Sequence, residues 1–163
     1  MDIRPATVAD LAAIDDIYHH YVLSSTCTFQ VEPGTPQERA AWFAAHGGAH
    51  PVTVAVGGGD VVGWGSLSRF HPRAAYRFTV ENSVYVRADR HRRGIGRALL
   101  VDLIERAARA GHHAILASIT ADQDASIALH RSLGFEPVAR LREIGFKFGR
   151  WLDVVYLERI LPA

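Results

Sequence analysis

Asn82-Ser83-Val84-Tyr85-Val86-Arg87-Ala88-Asp89-Arg90-His91-Arg92-Arg93-Gly94-Ile95-Gly96-Arg97-Ala98-Leu99-Leu100 joins a β-type run to a helix through an arginine-rich loop with two glycines. Backbone N–H groups at a helix start lack intrahelical acceptors, and the helix dipole favours negative charge there. Gly94 and Gly96 let a ligand come close to the main chain, and five arginines (Arg87, Arg90, Arg92, Arg93, Arg97) supply fork-shaped donors for phosphate oxygens. This is an anion cradle, and a pyrophosphate is the guest it suits.

Three phosphate-binding designs compete for such a loop. A P-loop needs a Gly-Lys-Ser/Thr run, and the chain's one lysine is Lys147, far from the cradle. A dinucleotide fingerprint asks for a small residue where Leu99 stands and an acidic residue ending the next strand, where Thr120-Ala121 is found. The third design, with a longer basic loop between strand and helix, is the one the spacing keeps.

The elements that must position this cradle fit one domain, residues 1–163, of the α+β class. Thr7-Val8-Ala9-Asp10 predicts a helix start, followed by Leu11, Ile14, Tyr18 and Tyr21 at helical spacing. Thr35 is expected to cap a second helix carrying Ala40, Trp42, Phe43 and Ala44 and stopping at Gly47-Gly48. Val52 to Val56 and Val61 to Leu67 flank Gly57-Gly58-Gly59-Asp60 as a hairpin. Tyr76 to Val86 alternates as one long strand into the cradle. Leu99, Leu100, Leu103, Ile104, Ala107 and Ala108 give the next helix an apolar face, and His113 to Ile119 reads as a buried strand. A fourth helix, capped by Asp122 or Asp124, ends at Gly134, and strands near Phe135 to Glu143 and Trp151 to Leu157 complete a mixed sheet.

The net charge of +1, from 18 Lys+Arg against 17 Asp+Glu, argues against a nucleic-acid binder, and no aromatic stacking platform lies among the loop arginines. No apolar run is long enough to cross a bilayer, and the start Met1-Asp2-Ile3-Arg4 has no secretory apolar region, so a cytoplasmic protein is expected. The single Cys27 reads as a small packed residue. The nine histidines, among them His19, His20, His46, His50, His71, His112 and His113, show no ligand spacing with a carboxylate helper, so no metal is expected.

His91-Arg92-Arg93-Gly94-Ile95-Gly96 resembles the acyl-CoA loop of the Gcn5-related N-acetyltransferases, Gln/Arg-x-x-Gly-x-Gly/Ala, with His91 departing at the first position. Ala125-Ser126-Ile127-Ala128-Leu129-His130-Arg131-Ser132-Leu133-Gly134-Phe135 is similar to that family's helix beside the pantetheine arm, with Gln123 where many members carry a cofactor-binding asparagine. The likeness extends from residue 2 to 160. Ile17 to Leu23, Thr26 to Phe29, Ala75 to Val86 and Gly145 to Val155 resemble the phosphinothricin and methionine sulfoximine acetyltransferases.

The resemblance implies the GNAT fold, a mostly antiparallel sheet flanked by about four helices. It further implies acetyl transfer from acetyl-CoA to the α-amino group of a glutamate-like amino acid, without a covalent intermediate, in a homodimer. Val84, Tyr85 and Val86 would pair with the pantetheine amides, and Ser126 and Gln123 would flank the cofactor with the cradle residues. Glu81 would take the ammonium proton, directly or through water; otherwise it is a surface carboxylate paired with an arginine. His130 stands where many relatives carry a thiolate-protonating tyrosine, and equally reads as a packed or capping histidine. Arg73, Ala74, Ala75, Tyr76 and Arg77 would meet the substrate anion, and Thr28, Phe29 and Trp151 would close the pocket. The alternatives are solvated loop arginines and ordinary core or interface aromatics. Transfer to another primary amine and a non-catalytic CoA sensor are the competing functions.

Overall fold

The computed structural model describes residues 1–162. Its elements run β1 (Asp2–Pro5), α1 (Leu11–Ser24), α2 (Pro36–Ala44), β2 (Val52–Gly57), β3 (Asp60–Arg69), β4 (Thr79–Val86), α3 (Ile95–Arg109), β5 (Ala114–Thr120), α4 (Asp124–Ser132), β6 (Glu136–Lys147) and β7 (Arg150–Ile160). The sheet order is β1-β2-β3-β4-β5-β7-β6, and β4 with β5 is its parallel pair while the other neighbours are antiparallel. The α+β class and the mixed sheet expected from the sequence are both present.

Local chemistry explains most of the boundaries. Thr35 and Glu38 cap α2 reciprocally, the Glu38 N–H donating to Thr35 Oγ1 at 3.2 Å and the Thr35 N–H to Glu38 Oε2 at 2.6 Å. Asp10 accepts from the Thr7 N–H at 2.7 Å, but a single 3-10 turn over Val8–Asp10 comes before α1, so the helix proper starts later than its cap motif. α2 stops at Ala44, ahead of the expected Gly47-Gly48, which instead form a separate turn closed by hydrogen bonds between Gly47 and His50. Gln123 occupies the α4 cap position in place of Asp122 or Asp124. The Asp122 carboxylate is engaged by the Thr26 hydroxyl and by Arg150.

Two cores lie on opposite sheet faces. Leu67, Val80, Leu100, Leu103, Ile115 and Leu157 pack under α3, while Ile14, Ile17, Val54 and Trp64 pack under α1. β3 divides them by alternation, since Trp64, Ser66 and Ser68 turn to the α1 side and Gly63 and Gly65 to α3. A Cβ on Gly65 would lie 2.9 Å from Leu103 Cδ1 and 3.1 Å from the Ser83 carbonyl oxygen, so the glycine lets α3 lie close against the strand. Gly65→Ala is expected to cost about 1–3 kcal/mol through overpacking. A urea titration checks this, and a change below about 0.5 kcal/mol would mean that α3 yields freely at this point.

Candidate active site

β4 and β5 pair over three residues, Thr79 with Ala114, Val80 with Ile115 and Glu81 with Leu116, and then part. At the fork the Asn82 side-chain amide donates to the Leu116 carbonyl at 3.1 Å, replacing the ladder bond that the next residue would have made. The parting strands leave a groove of ≈ 840 Å³. The Arg87 N–H bonds the Val62 carbonyl, so by antiparallel alternation Tyr85 and Ser83 commit their main chain to β3 while Val84 and Val86 turn theirs away, into the groove. The strand-like pairing expected of Val84, Tyr85 and Val86 is therefore open to the main chain of Val84 and Val86, and Tyr85 contributes its ring.

The cradle closes one end of the groove. A short turn over Ala88–Arg90 leads to Arg92 at φ 59° and Gly94 at φ 77°, and α3 begins at Ile95. Gly94 supplies a left-handed conformation without steric penalty, whereas Arg92 holds one that side chains disfavour, strain of the kind found at binding loops. Gly96 carries no such demand, since a Cβ there would meet Leu129 and Val86 at ordinary contact distance. Ile95, Gly96 and Arg97, in the first turn of α3, line the groove with Arg90, Arg92 and Gly94, while Arg93 is exposed outside it. Arg87 is committed elsewhere, donating to both Asp89 carboxylate oxygens at 2.7 and 2.9 Å. His91 lies parallel to the Tyr21 ring with its Nε2 2.6 Å from the Tyr21 hydroxyl, which also donates to the Val86 carbonyl. That departure from the glutamine or arginine of the resembled motif thus shapes the wall of the groove.

At the other end stand Glu81, Thr28 and Phe29. Glu81 is half-buried and, among the described residues, makes no ion pair or side-chain hydrogen bond; burial pushes its carboxyl pKa up. Long-range ties hold the loop carrying Thr28 and Phe29. Lys147 Nζ donates to the carbonyls of Ser25 and Thr28 at 2.7 and 2.8 Å, the Thr120 hydroxyl to the Thr26 carbonyl at 2.6 Å, and the Thr28 hydroxyl meets Tyr18 at 2.8 Å. Lys147 is 4% exposed, and burial pushes its pKa down. Phe29 lies so close to Gly145 that a Cβ there would sit 2.3 Å from the ring. Burial pushes the Cys27 thiol up, which suits a packed residue and not a nucleophile.

His130 and Ser126 line the same groove from α4, and so does Gln123, whose side-chain amide donates to the Thr26 hydroxyl at 2.9 Å. His130 is 4% exposed. Its Nδ1 lies 2.8 Å from the Ser126 carbonyl oxygen and its Nε2 3.0 Å from Asn82 Oδ1. Burial pushes its pKa down, and the bond to Ser126 opposes that shift. Arg73, Ala74, Ala75, Tyr76 and Arg77 are exposed and stand outside the lining of this groove, with Arg77 folded back on the Ala74 carbonyl and over the Phe78 ring. Trp151 is also outside the groove, 63% exposed and packed on Phe146. Asn82, Tyr21 and Lys147 are structural parts of the site that sequence reasoning passed over. Their partners are 34 to 122 residues away, and no local pattern marks such bonds. Among the described residues no group of three or more His, Cys, Asp or Glu side chains could hold a metal ion, and no helix is long and apolar enough to cross a membrane.

The acetyltransferase (GNAT) domain family matches residues 3–156. The chain is 41% identical over 159 residues to the L-amino acid N-acyltransferase MnaT of Escherichia coli, covering 97% of this chain and 92% of that protein. It is 42% identical over 158 residues to the L-methionine sulfoximine/L-methionine sulfone acetyltransferase of Pseudomonas aeruginosa, covering 96% and 92%. The crystal structure of a GNAT superfamily phosphinothricin acetyltransferase from Sinorhizobium meliloti, solved in complex with AcCoA, superposes with a TM-score of 0.95 at 40% identity, covering 98% of this chain and 88% of that one.

Proposed function

The chain belongs to the GNAT acetyltransferase family, and on that premise we propose that it transfers the acetyl group of acetyl-CoA to the α-amino group of a small glutamate-like amino acid. Phosphinothricin, methionine sulfoximine and methionine sulfone are the acceptors meant, and transfer is by direct attack in a ternary complex. The observation that carries this reading is the unpaired, half-buried Glu81 at the fork of β4 and β5, between a helix-start cradle and the Thr28 and Phe29 wall. The relatives named for methionine sulfoximine, methionine sulfone and phosphinothricin support the acceptor class.

The residues fit the co-substrate. The N–H groups of Ile95, Gly96 and Arg97, with Arg90 and Arg92, hold the pyrophosphate, and the main chain of Val84 and Val86 pairs with the pantetheine amides, with one N–H directed at the acetyl carbonyl oxygen. When bound, acetyl-CoA supplies the activated acyl group. Glu81 accepts the ammonium proton, directly or through water, and its raised pKa brings the base nearer to the pH at which it works. His130 returns a proton to the departing thiolate. We also read the protein as cytoplasmic and as a homodimer; for the dimer, Phe146, Phe148 and Trp151 leave an exposed apolar surface on the β6–β7 hairpin that a second copy would cover.

Free-thiol release from acetyl-CoA tests the reading, with phosphinothricin, methionine sulfoximine, methionine sulfone, glutamate, spermidine and a short peptide as acceptors. Saturable release with one of the first three is expected. Release with spermidine or the peptide alone would move the acceptor class, and silence despite CoA binding would make the protein a sensor.

A further inference from the structure

A second cavity, ≈ 410 Å³, lies on the sheet face under α1 and α2. It adjoins the groove, since Ser83 and Tyr85 line both. The β3–β4 register pairs Trp64 with Tyr85, Ser66 with Ser83 and Ser68 with Glu81. Cross-strand partners share a face, so the side chains that floor this cavity form one row with Glu81 at its end. Two residues along a strand cover about 7 Å, so Ser83 stands one amino-acid side chain's reach from Glu81.

One charge in this cavity is largely free of partners. The Arg39 side chain is 10% exposed, and its Nε donates to Asp15 Oδ1 at 2.7 Å. Its guanidinium carbon stands 4.5 Å from the Trp42 ring centre, 5.2 Å from Tyr18 and 5.6 Å from Trp64. A guanidinium has five N–H donors, and among the described residues the bond to Asp15 is the one it makes, which leaves both terminal nitrogens for a guest. The nearby carboxylates are engaged: Asp15 also faces His19 Nε2 at 3.5 Å, and Glu38 accepts from the Thr35 N–H. In the same wall the Trp64 indole N–H is buried without a partner. An aromatic cage fixes the fork's plane, and an anchoring carboxylate fixes its rotation. What remains is a pre-set donor pair for an oxygen-bearing group.

We propose that this cavity is the acceptor's side-chain pocket and that Arg39 binds the distal oxygens of that side chain, those of a sulfone, sulfoximine, phosphinyl or carboxylate group. The proposal rests on the acetyl-transfer reading above and names its specificity determinant. It places anion recognition on α2, away from the exposed Arg73 and Arg77.

Methionine sulfone and methionine share a skeleton and differ by the two oxygens, so the ratio of their kcat/KM values isolates the contact. In the unmodified protein the ratio is expected to favour the sulfone by about 10- to 100-fold, the range of a hydrogen bond to a charged group. Arg39→Gln is expected to bring the ratio within about threefold of unity through the KM for the sulfone. Arg39→Lys keeps charge and stem but loses the fork, and it is expected to lose most of the preference too, so the test stands if the glutamine variant fails to fold. A sulfone preference that survives in both variants would overturn the role of Arg39. An unmodified protein that acetylates neither compound, nor any other amino acid, would overturn the acetyl-transfer reading instead.

Discussion

Replacing Glu81 by glutamine is expected to slow acetyl transfer by about 100-fold or more while leaving the KM for acetyl-CoA within about twofold of its original value. The amide matches the carboxylate in shape but cannot accept a proton at neutral pH. No ion pair among the described residues is lost with it, so the effect falls on the chemical step and spares the cradle at Arg90 to Arg97. The pH dependence carries a second signature. Burial raises the Glu81 pKa, so the original protein gains activity as pH rises through that raised value, and the variant lacks this limb. Stability moves the opposite way. A carboxyl whose folded pKa is raised favours folding in its protonated form, so ionising Glu81 costs stability as pH rises from the unfolded to the folded value. The variant is therefore expected to melt no lower than the original at pH 7 and at the same temperature below both pKa values. Turnover within about threefold of the original would remove Glu81 from the base role.

The cradle was legible because its information is local. Strand, basic loop, Gly94 and helix start follow one another along a single stretch of chain, and the same holds for the Thr35 to Glu38 capping box. Where the structure departs from the sequence reading, the decisive contact is remote. β1 has four residues, Arg4 and Pro5 among them, and carries no strand pattern of its own; it is a strand because it pairs with β2, Asp2 opposite Val56 and Pro5 opposite Thr53. Alternation runs on through Tyr76 to Phe78, yet β4 begins at Thr79, where pairing with β5 begins, and Tyr76 falls in a 3-10 turn. β6 outruns its expected end at Glu143 because that residue takes a left-handed φ of 53° beside a register shift, and the strand resumes pairing at Gly145. Side-chain fates follow the same rule. Lys147 and Arg39 have the residue types of a solvated surface, and tertiary packing buries one against two carbonyls and the other among three aromatic rings. Arg73 and Arg77 have the type for anion binding and lie in the open.

His130→Gln is expected to lower kcat by about 100-fold and to abolish the fall in activity as pH rises through the lowered His130 pKa. Two oxygens flank the ring. Asn82 is oriented by its bond to the Leu116 carbonyl, so it presents Oδ1 to His130 Nε2, while Nδ1 faces the Ser126 carbonyl. A neutral imidazole has one N–H and can satisfy one of these acceptors, which leaves a lone pair turned towards the other; the imidazolium satisfies both. Burial disfavours that charged form and pushes the pKa below its ordinary value, so the protonated fraction shrinks as pH rises through the lowered pKa, and an acid role falls with it. Glutamine keeps an N–H donor for either oxygen but does not titrate, which separates proton transfer from packing. Phenylalanine would leave both acceptors bare, at about 1–3 kcal/mol each, and so serves as the stability control. If the glutamine variant turns over within about threefold of the original and keeps that descending limb, His130 is a tie between α4 and the fork of the sheet, and the thiolate takes its proton from elsewhere. If the limb disappears, the two acceptors explain how a histidine this deeply buried still holds a proton beside the groove.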